Sequence, residues 1–143
     1  MRLRSLAVVL ALTVAVPLAG AATRPTVAAK QSAYGRILFD GRGFVLYAFT
    51  SDGQRKSTCT GACAKAWPPY LVKSRPGGGA GVAAGRLGTT RRADGSLQAT
   101  YAGRPLYYYV GDRRPGQILC QNVLEFGGYW RVVRPTGSLV TKR

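Results

Sequence analysis

The feature that most constrains this chain is an internal repeat, in which residues 35–52 return without a gap as residues 95–112. Each copy runs Gly-x-Ile/Leu and, after five residues, Gly-x-x-Leu-Tyr-x-Phe/Tyr-x-x-Asp. The motif residues are Tyr47, Phe49, Asp52, Tyr107, Tyr109 and Asp112. A fixed internal period is the sequence signature of a repeat architecture. The sequence therefore predicts a domain that is built from two similar halves.

Short runs of β-favouring residues alternate with glycine and proline turns, and no long helical period is present. This pattern is typical of an all-β protein, or a mainly β protein with one short helix. We expect a two-repeat antiparallel sheet that forms a small sandwich or a barrel-like domain. The predicted domain spans residues 34–137, with repeats at about 35–72 and 94–135 and a Gly-rich linker at 73–88.

Two hairpins and one helix are predicted within this domain. The first hairpin joins residues 37–39 to 44–50, and the second joins 97–101 to 104–110 across Ala102-Gly103, a link typical of a two-residue turn. In a strand side chains alternate, so Tyr47 and Phe49 should share one face while Leu46 and Ala48 share the other.

The Ala-rich segment from Thr60 to Trp67 predicts one or two helical turns, with Thr60 as the N-cap. Pro68 and Pro69 should end it, since neither has an amide hydrogen to donate. We expect Trp67 to pack this segment onto the sheet and Trp130 to do the same in the second half.

The N-terminus predicts a secretory signal peptide over residues 1–21. Arg2 and Arg4 supply a positive start, an apolar run follows, and Ala19-Gly20-Ala21 resembles a cleavage site. Residues 22–33 read as a flexible lead. Ala21 stands where a lipid-anchored protein would need cysteine. We therefore predict a secreted protein, extracellular or periplasmic, that is not lipid-anchored.

The charge balance is strongly basic, with 21 Lys and Arg against 5 Asp and Glu, a formal net charge of +16. Removing Arg2 and Arg4 with the signal peptide leaves +14. Such a surface attracts anionic cell-surface polymers or membranes. The alternative, that the arginines serve solubility alone, stays open. Nucleic acid is not an expected partner, because no recognition motif accompanies the charge and export removes the protein from most nucleic acid.

The chain has no histidine, which excludes Ser-His-Asp, Cys-His and His-metal sites. Asp52 and Asp112 each end a strand, where aspartate commonly accepts backbone hydrogen bonds in the following turn. The alternative is a pair of catalytic carboxyl groups that hydrolyse a glycoside. We favour the first interpretation. The sequence thus predicts no catalytic residues, no cofactor and no metal site, and it favours core packing over ligand binding for the motif aromatic residues.

The three cysteines predict one disulfide in an oxidising compartment and one remaining thiol. Cys59 and Cys63 lie four apart, and we favour their pairing, with Cys120 as the alternative partner of either. A second hypothesis is a redox or copper-handling site at Cys59 and Cys63, because thiolates are suitable ligands for Cu(I).

Cys59-Thr60-Gly61-Ala62-Cys63, followed by Trp67-Pro68-Pro69 and flanked by two Tyr-x-(Phe/Tyr)-x-x-Asp motifs, resembles a bacterial secreted-repeat family of predicted lipoproteins. The resemblance covers about residues 35–135. It implies an exported envelope or extracellular protein whose family has no settled biochemical activity. We therefore expect a non-enzymatic binding or structural module, and the segment Cys59–Pro69, present in only one half, is the place where we would first look for function.

Overall fold

The computed structural model describes residues 26–143. These residues form nine short strands and one helix, α1 (Ala62–Ala66), with a 3-10 turn at Ala84–Arg86. The strands are β1 (Thr26–Ser32), β2 (Gly35–Asp40), β3 (Tyr47–Phe49), β4 (Gly77–Gly78), β5 (Leu87–Arg91), β6 (Leu97–Tyr101), β7 (Arg104–Pro105), β8 (Val123–Glu125) and β9 (Gly128–Val132). The predicted class, mainly β with one short helix, is confirmed.

The strands form three small sheets, with strand orders β2-β1-β4, β3-β9-β8 and β5-β6-β7. All pairs are antiparallel except β1 with β4. None of the three closes into a barrel within residues 26–143, so the barrel-like form that we considered is not found there. No helix in this part of the chain has the length and apolar character needed to cross a membrane.

The flexible lead predicted for residues 22–33 is wrong over most of its length. Thr26–Ser32 forms β1 and pairs with β2 from Val27, opposite Asp40, to Ser32, opposite Gly35. Val27 and Ala29 alternate inward and are buried. Its small and polar residues do not resemble a strand in sequence, yet β1 pairs with β2, which begins after a tight turn. The predicted signal peptide and residues 22–25 lie outside the described residues.

The linker prediction for residues 73–88 also needs correction. Gly77–Gly78 pairs with the start of β1 as β4, residues 84–86 form the 3-10 turn, and β5 begins at Leu87. In sequence, glycines whose backbone pairs with a neighbouring strand cannot be distinguished from glycines in a free loop. The second half consequently begins about seven residues earlier than residue 94.

The second predicted hairpin is confirmed, because Ala102 and Gly103 join β6 to β7 with φ of 48° and 76°. Positive φ at both central positions is the geometry of a type I′ turn, which matches the twist of paired strands. The first predicted hairpin forms over residues 38–46, where the Asp40 amide donates to the Phe44 carbonyl at 2.8 Å and the Leu46 amide donates to the Leu38 carbonyl at 3.0 Å. Beyond it the chain leaves β2, and β3 pairs with β9.

The predicted helix is confirmed as α1, although its N-cap is Gly61 and not Thr60, with no side-chain hydrogen bond at the cap. Two apolar clusters form the core, and β3 lies between them. Tyr47 and Phe49 belong to the cluster that contains both tryptophans, whereas Leu46 and Ala48 belong to the other. The predicted alternation of faces is therefore confirmed, and both faces are buried.

Candidate functional site

The two motif tyrosines lie opposite each other at the junction of the repeats. The Tyr47 amide donates to the Tyr107 carbonyl at 2.9 Å, and the Tyr107 amide donates to the Tyr47 carbonyl at 2.9 Å. This reciprocal pair is the hydrogen-bonded pair of an antiparallel ladder. It brings equivalent points of the two repeats together and relates the halves by an approximate two-fold axis.

Around this axis, the tyrosine of each motif bonds the aspartate of the other motif. The Tyr47 hydroxyl donates to Asp112 Oδ2 at 2.7 Å, and the Tyr107 hydroxyl donates to Asp52 Oδ2 at 2.7 Å. Each tyrosine precedes the aspartate of its own motif by five residues. In neither motif does the tyrosine bond its own aspartate, so the two repeats exchange partners.

Each aspartate also closes the loop that follows it. Asp52 Oδ1 accepts the Thr58 amide at 2.7 Å and the Thr58 hydroxyl at 2.9 Å, while Asp112 Oδ1 accepts the Leu119 amide at 2.9 Å. This confirms the predicted role of both aspartates as acceptors for turn backbone. In each carboxylate, one oxygen accepts a tyrosine hydroxyl and the other accepts donors from the following loop, so the two carboxylates have separate sets of partners.

A column of four aromatic rings crosses the same junction in the order Phe49, Trp130, Trp67, Tyr109. Successive ring centroids are 4.3, 4.1 and 4.8 Å apart, and the two indole planes are within 5° of parallel. Tyr47 meets Trp67 edge-on at 5.2 Å, and Tyr107 meets Trp130 edge-on at 5.0 Å. Both arrangements are ones that aromatic pairs prefer. Trp67 and Trp130 are thus the equivalent anchors that the sequence predicted.

The segment from α1 to Pro69 is tied to this column and to the second motif. Trp67 Nε1 donates to Glu125 Oε2 at 2.8 Å, so the buried indole has a polar partner. The Pro68 carbonyl accepts the Tyr108 amide at 2.8 Å, and Pro69 forms a bridge with Tyr107. The two prolines therefore end the helix and carry the chain onto the second motif strand.

A buried chain of donors runs from an arginine to one of the aspartates. Arg92 Nη1 donates to Ser57 Oγ at 2.9 Å, and Ser57 Oγ lies 2.8 Å from the Tyr107 hydroxyl. Tyr107 in turn donates to Asp52, so Ser57 is the donor to Tyr107. Arg92 also bonds Gln98 Oε1 and the Cys59 carbonyl, at 2.7 Å each. This network holds a buried guanidinium and a carboxylate together through two hydroxyl groups.

Burial changes the proton affinity of the motif residues. It raises the pKa of Tyr47, to which Asp112 adds, and it raises the pKa of Tyr107. It also raises the pKa of Tyr108, whose hydroxyl donates to Asp40 Oδ2 at 2.9 Å. Loss of hydration raises the pKa of Asp52 and Asp112, and their hydrogen bonds oppose this effect.

The favoured disulfide is confirmed, since Cys59 and Cys63 are bonded and both are buried, while Cys120 is a free thiol. Burial raises the pKa of Cys120. The copper hypothesis needs thiolates at Cys59 and Cys63, and both sulfur atoms are occupied by the disulfide. Within residues 26–143 no group of three Cys, Asp or Glu side chains is placed to hold a metal ion.

The exchange of partners predicts a specific pattern of energetic coupling. In a double-mutant cycle, Tyr47→Phe and Asp112→Ala should couple by about 1–3 kcal/mol, because the bond is buried and its acceptor is charged. Tyr47→Phe with Asp52→Ala, the aspartate of its own motif, should be additive within about 0.5 kcal/mol. Urea unfolding of the single and double variants measures both. Coupling within a motif and not between motifs would contradict the exchange.

A cleft of about 320 Å³ lies between the loop after Asp52, the 3-10 turn and the β6–β7 turn. We call it the arginine cleft. Its walls include Gln54, Arg55, Gly85, Arg86, Thr100 and Gly103. A Cβ added at Gly85 would meet no atom within 4 Å, so the space beside it is open. A smaller cavity of about 40 Å³ adjoins it, shares Gln54 and Gly103, and adds Arg104.

The fold and the junction define a two-repeat β domain with one local disulfide, in which the halves are joined by exchanged tyrosine–aspartate bonds. The chain belongs to the family described as a secreted repeat of unknown function, which it matches over residues 28–70 and 88–134. The description of the family supports an exported protein, and the disulfide is consistent with export. No curated protein and no solved structure matches the chain.

The motif residues and both tryptophans are predictable from the sequence, whereas their polar partners are not. Arg92, Ser57 and Glu125 lie outside the motifs, and nothing in their local sequence distinguishes them from surface residues. Asp40 had one available signal: it precedes a Gly-Arg-Gly turn and accepts the amides of Arg42 and Phe44 at 2.9 Å each. The arginine cleft was missed too, because its walls come from three separate parts of the chain.

Proposed function

We propose that the protein is an exported, non-enzymatic binding module that holds anionic cell-surface polymers in the arginine cleft. The observation that carries this proposal is the separation of charge in the domain. All five acidic side chains accept hydrogen bonds from within it: Asp40, Asp52, Asp94, Asp112 and Glu125. Each acid therefore has a partner within the domain, and the basic residues far outnumber the acids.

The arginines of the cleft lack such commitments. Across residues 26–143 the only ion pair within 4.0 Å joins Arg42 to Asp40, so Arg55 and Arg86 have no carboxylate partner there. Both are exposed. Guanidinium groups bind phosphate or carboxylate groups through two parallel hydrogen bonds. A cleft of about 320 Å³ is large enough for one or two charged units of a polymer.

The test is calorimetric titration of the protein with inorganic polyphosphate, polygalacturonate and neutral dextran. We expect both polyanions to bind, with affinity that falls as salt is added, and dextran not to bind. Arg55→Gln with Arg86→Gln should weaken polyanion binding on the order of tenfold or more. Arg113→Gln with Arg114→Gln removes the same charge from an exposed loop, and it should weaken binding less than threefold, roughly the effect of a screened surface charge.

A second variant keeps both arginines and adds one negative charge to the cleft. Gly85→Glu adds a carboxylate to the wall of the cleft, where an added Cβ meets no atom within 4 Å, and should weaken binding of both polyanions. Equal losses in the Arg113/Arg114 control would show that the whole surface binds and would overturn the assignment to the cleft. Failure of both polyanions to bind at low salt would overturn the proposed function itself.

A further inference from the structure

The hairpin formed by β8 and β9 carries a feature that neither the core nor the arginine cleft uses. Phe126 and Gly127 join its strands with φ of 55° and 82°, a type I′ turn. β8 is the edge strand of its sheet, and β9 pairs with β3 on its other side. The hairpin is therefore held by the core along β9 and is free along β8.

Three large apolar side chains are exposed on this short hairpin. Leu124 is 62% exposed, Phe126 44% and Tyr129 36%, and they are half of the six exposed large apolar side chains found in residues 26–143. Leu124 and Tyr129 are opposite each other in the ladder, so their side chains lie on one face. Phe126 follows at the turn. Clustered exposure of this kind marks an interaction surface, whereas single exposed apolar residues do not.

Two charged side chains of opposite sign adjoin these residues. The Arg131 guanidinium lies over the Tyr129 ring at 4.5 Å and donates from Nε to Asn122 Oδ1 at 2.7 Å. The acidic residue of the hairpin, Glu125, accepts a hydrogen bond from Trp67 Nε1 and is thereby engaged with the aromatic column. The hairpin thus combines apolar and aromatic side chains with an adjacent cation.

We propose that this hairpin docks the protein on a bilayer that contains anionic phospholipid, with Leu124, Phe126 and Tyr129 entering the interfacial layer. Tyrosine and tryptophan side chains favour that layer because one end of each is apolar and the other polar. Arg131 then lies at the level of the lipid phosphates, and the basic surface of the domain adds attraction to an anionic leaflet. This role goes beyond polymer binding and uses a different part of the molecule.

The test is sedimentation of the protein with phosphatidylcholine vesicles, with and without phosphatidylglycerol. Leu124→Thr with Phe126→Asn should weaken binding to both vesicles on the order of tenfold, because two apolar side chains no longer enter the layer. Asn-Gly is the preferred type I′ turn and threonine suits a strand, so the hairpin should keep its fold. Leu71→Thr is the matched control, since Leu71 is 51% exposed and lies outside the hairpin. It should bind like the unmodified protein.

Arg131→Gln should lower the preference for vesicles with phosphatidylglycerol by about fivefold, the effect of about 1 kcal/mol for one arginine near the lipid surface, while leaving binding to neutral vesicles unchanged. Vesicle binding that the hairpin substitutions do not alter would overturn the proposal. Dimerisation in solution that the same substitutions abolish would also overturn it, since a second copy would then be the partner of the hairpin. Arg55→Gln with Arg86→Gln should leave binding to neutral vesicles intact, which separates this proposal from that for the cleft.

Discussion

Trp130→Ala is expected to destabilise the domain by about 3–5 kcal/mol, the range for removing a fully buried tryptophan. Trp130 is 0% exposed and stacks between Phe49 and Trp67, with Tyr107 edge-on against it. Its removal opens the aromatic column at the centre and leaves a cavity where the halves meet. Natural domains have a total stability of about 5–15 kcal/mol, so the variant should be marginally folded.

Urea unfolding followed by circular dichroism measures this loss. Tyr129→Ala is the control, because it removes an exposed aromatic side chain from the preceding position of the same strand and should cost less than about 1 kcal/mol. Trp130→Phe keeps a ring in the column and should recover part of the stability. Equal effects of the two alanine substitutions would show that the column does not hold the repeats together.

Alkaline unfolding is the second large effect that we expect. The buried hydroxyls of Tyr47, Tyr107 and Tyr108 have raised pKa values, so the folded protein keeps these protons at a pH where the unfolded chain releases them. Their contribution to stability is complete below about pH 10, the pKa of tyrosine in an unfolded chain, and falls as the pH rises above it. Above that pH, each tyrosine should lower the free energy of unfolding by about 1.4 kcal/mol per pH unit, and the three together by about 4 kcal/mol per pH unit.

Tyrosinate absorbance and circular dichroism, recorded together against pH, test this expectation. The buried tyrosines should ionise in the same transition that abolishes the fold, whereas exposed tyrosines ionise before it. Tyr108→Phe removes one of the three tyrosines and should make the loss of stability with pH shallower by about 1.4 kcal/mol per pH unit. The variant should stay folded, because Asp40 keeps Arg42 and two backbone amides as partners. Tyr129→Phe, at an exposed position, should change nothing. Ionisation of all tyrosines near pH 10 with the fold intact would contradict the burial argument.

The exchanged bonds explain why the repeated motif is a structural signature. In a single half, the tyrosine hydroxyl and the aspartate of the motif do not bond each other, and each would lack the partner that the other half supplies. Burying an unpaired polar group is costly. Joining two halves about the Tyr47–Tyr107 pair satisfies both at once. The motif therefore specifies the interface between repeats, and the residues proposed to bind external partners lie away from it, in the arginine cleft and on the β8–β9 hairpin.

Much of this protein could be predicted from its sequence because the relevant physics is local. Alternation along a strand placed Tyr47 and Phe49 on one face, Ala102-Gly103 specified a tight turn, and four-residue spacing favoured the Cys59–Cys63 disulfide. Each of these depends on residues close together in the chain. The glycine-rich segment misled the same reasoning, since local composition cannot show that Gly77–Gly78 has a backbone partner in β1.

The sequence by itself determined that the chain is a two-repeat, mainly β domain with a disulfide and a strongly basic composition. Only the tertiary structure decided which residues the motifs bond, because the Tyr47 hydroxyl and Asp112 are 65 positions apart and no local pattern encodes their meeting. The same holds for the column from Phe49 to Tyr109 and for the arginine cleft. Side-chain periodicity predicts which residues face the core. The packing of one half on the other determines which side chains they contact.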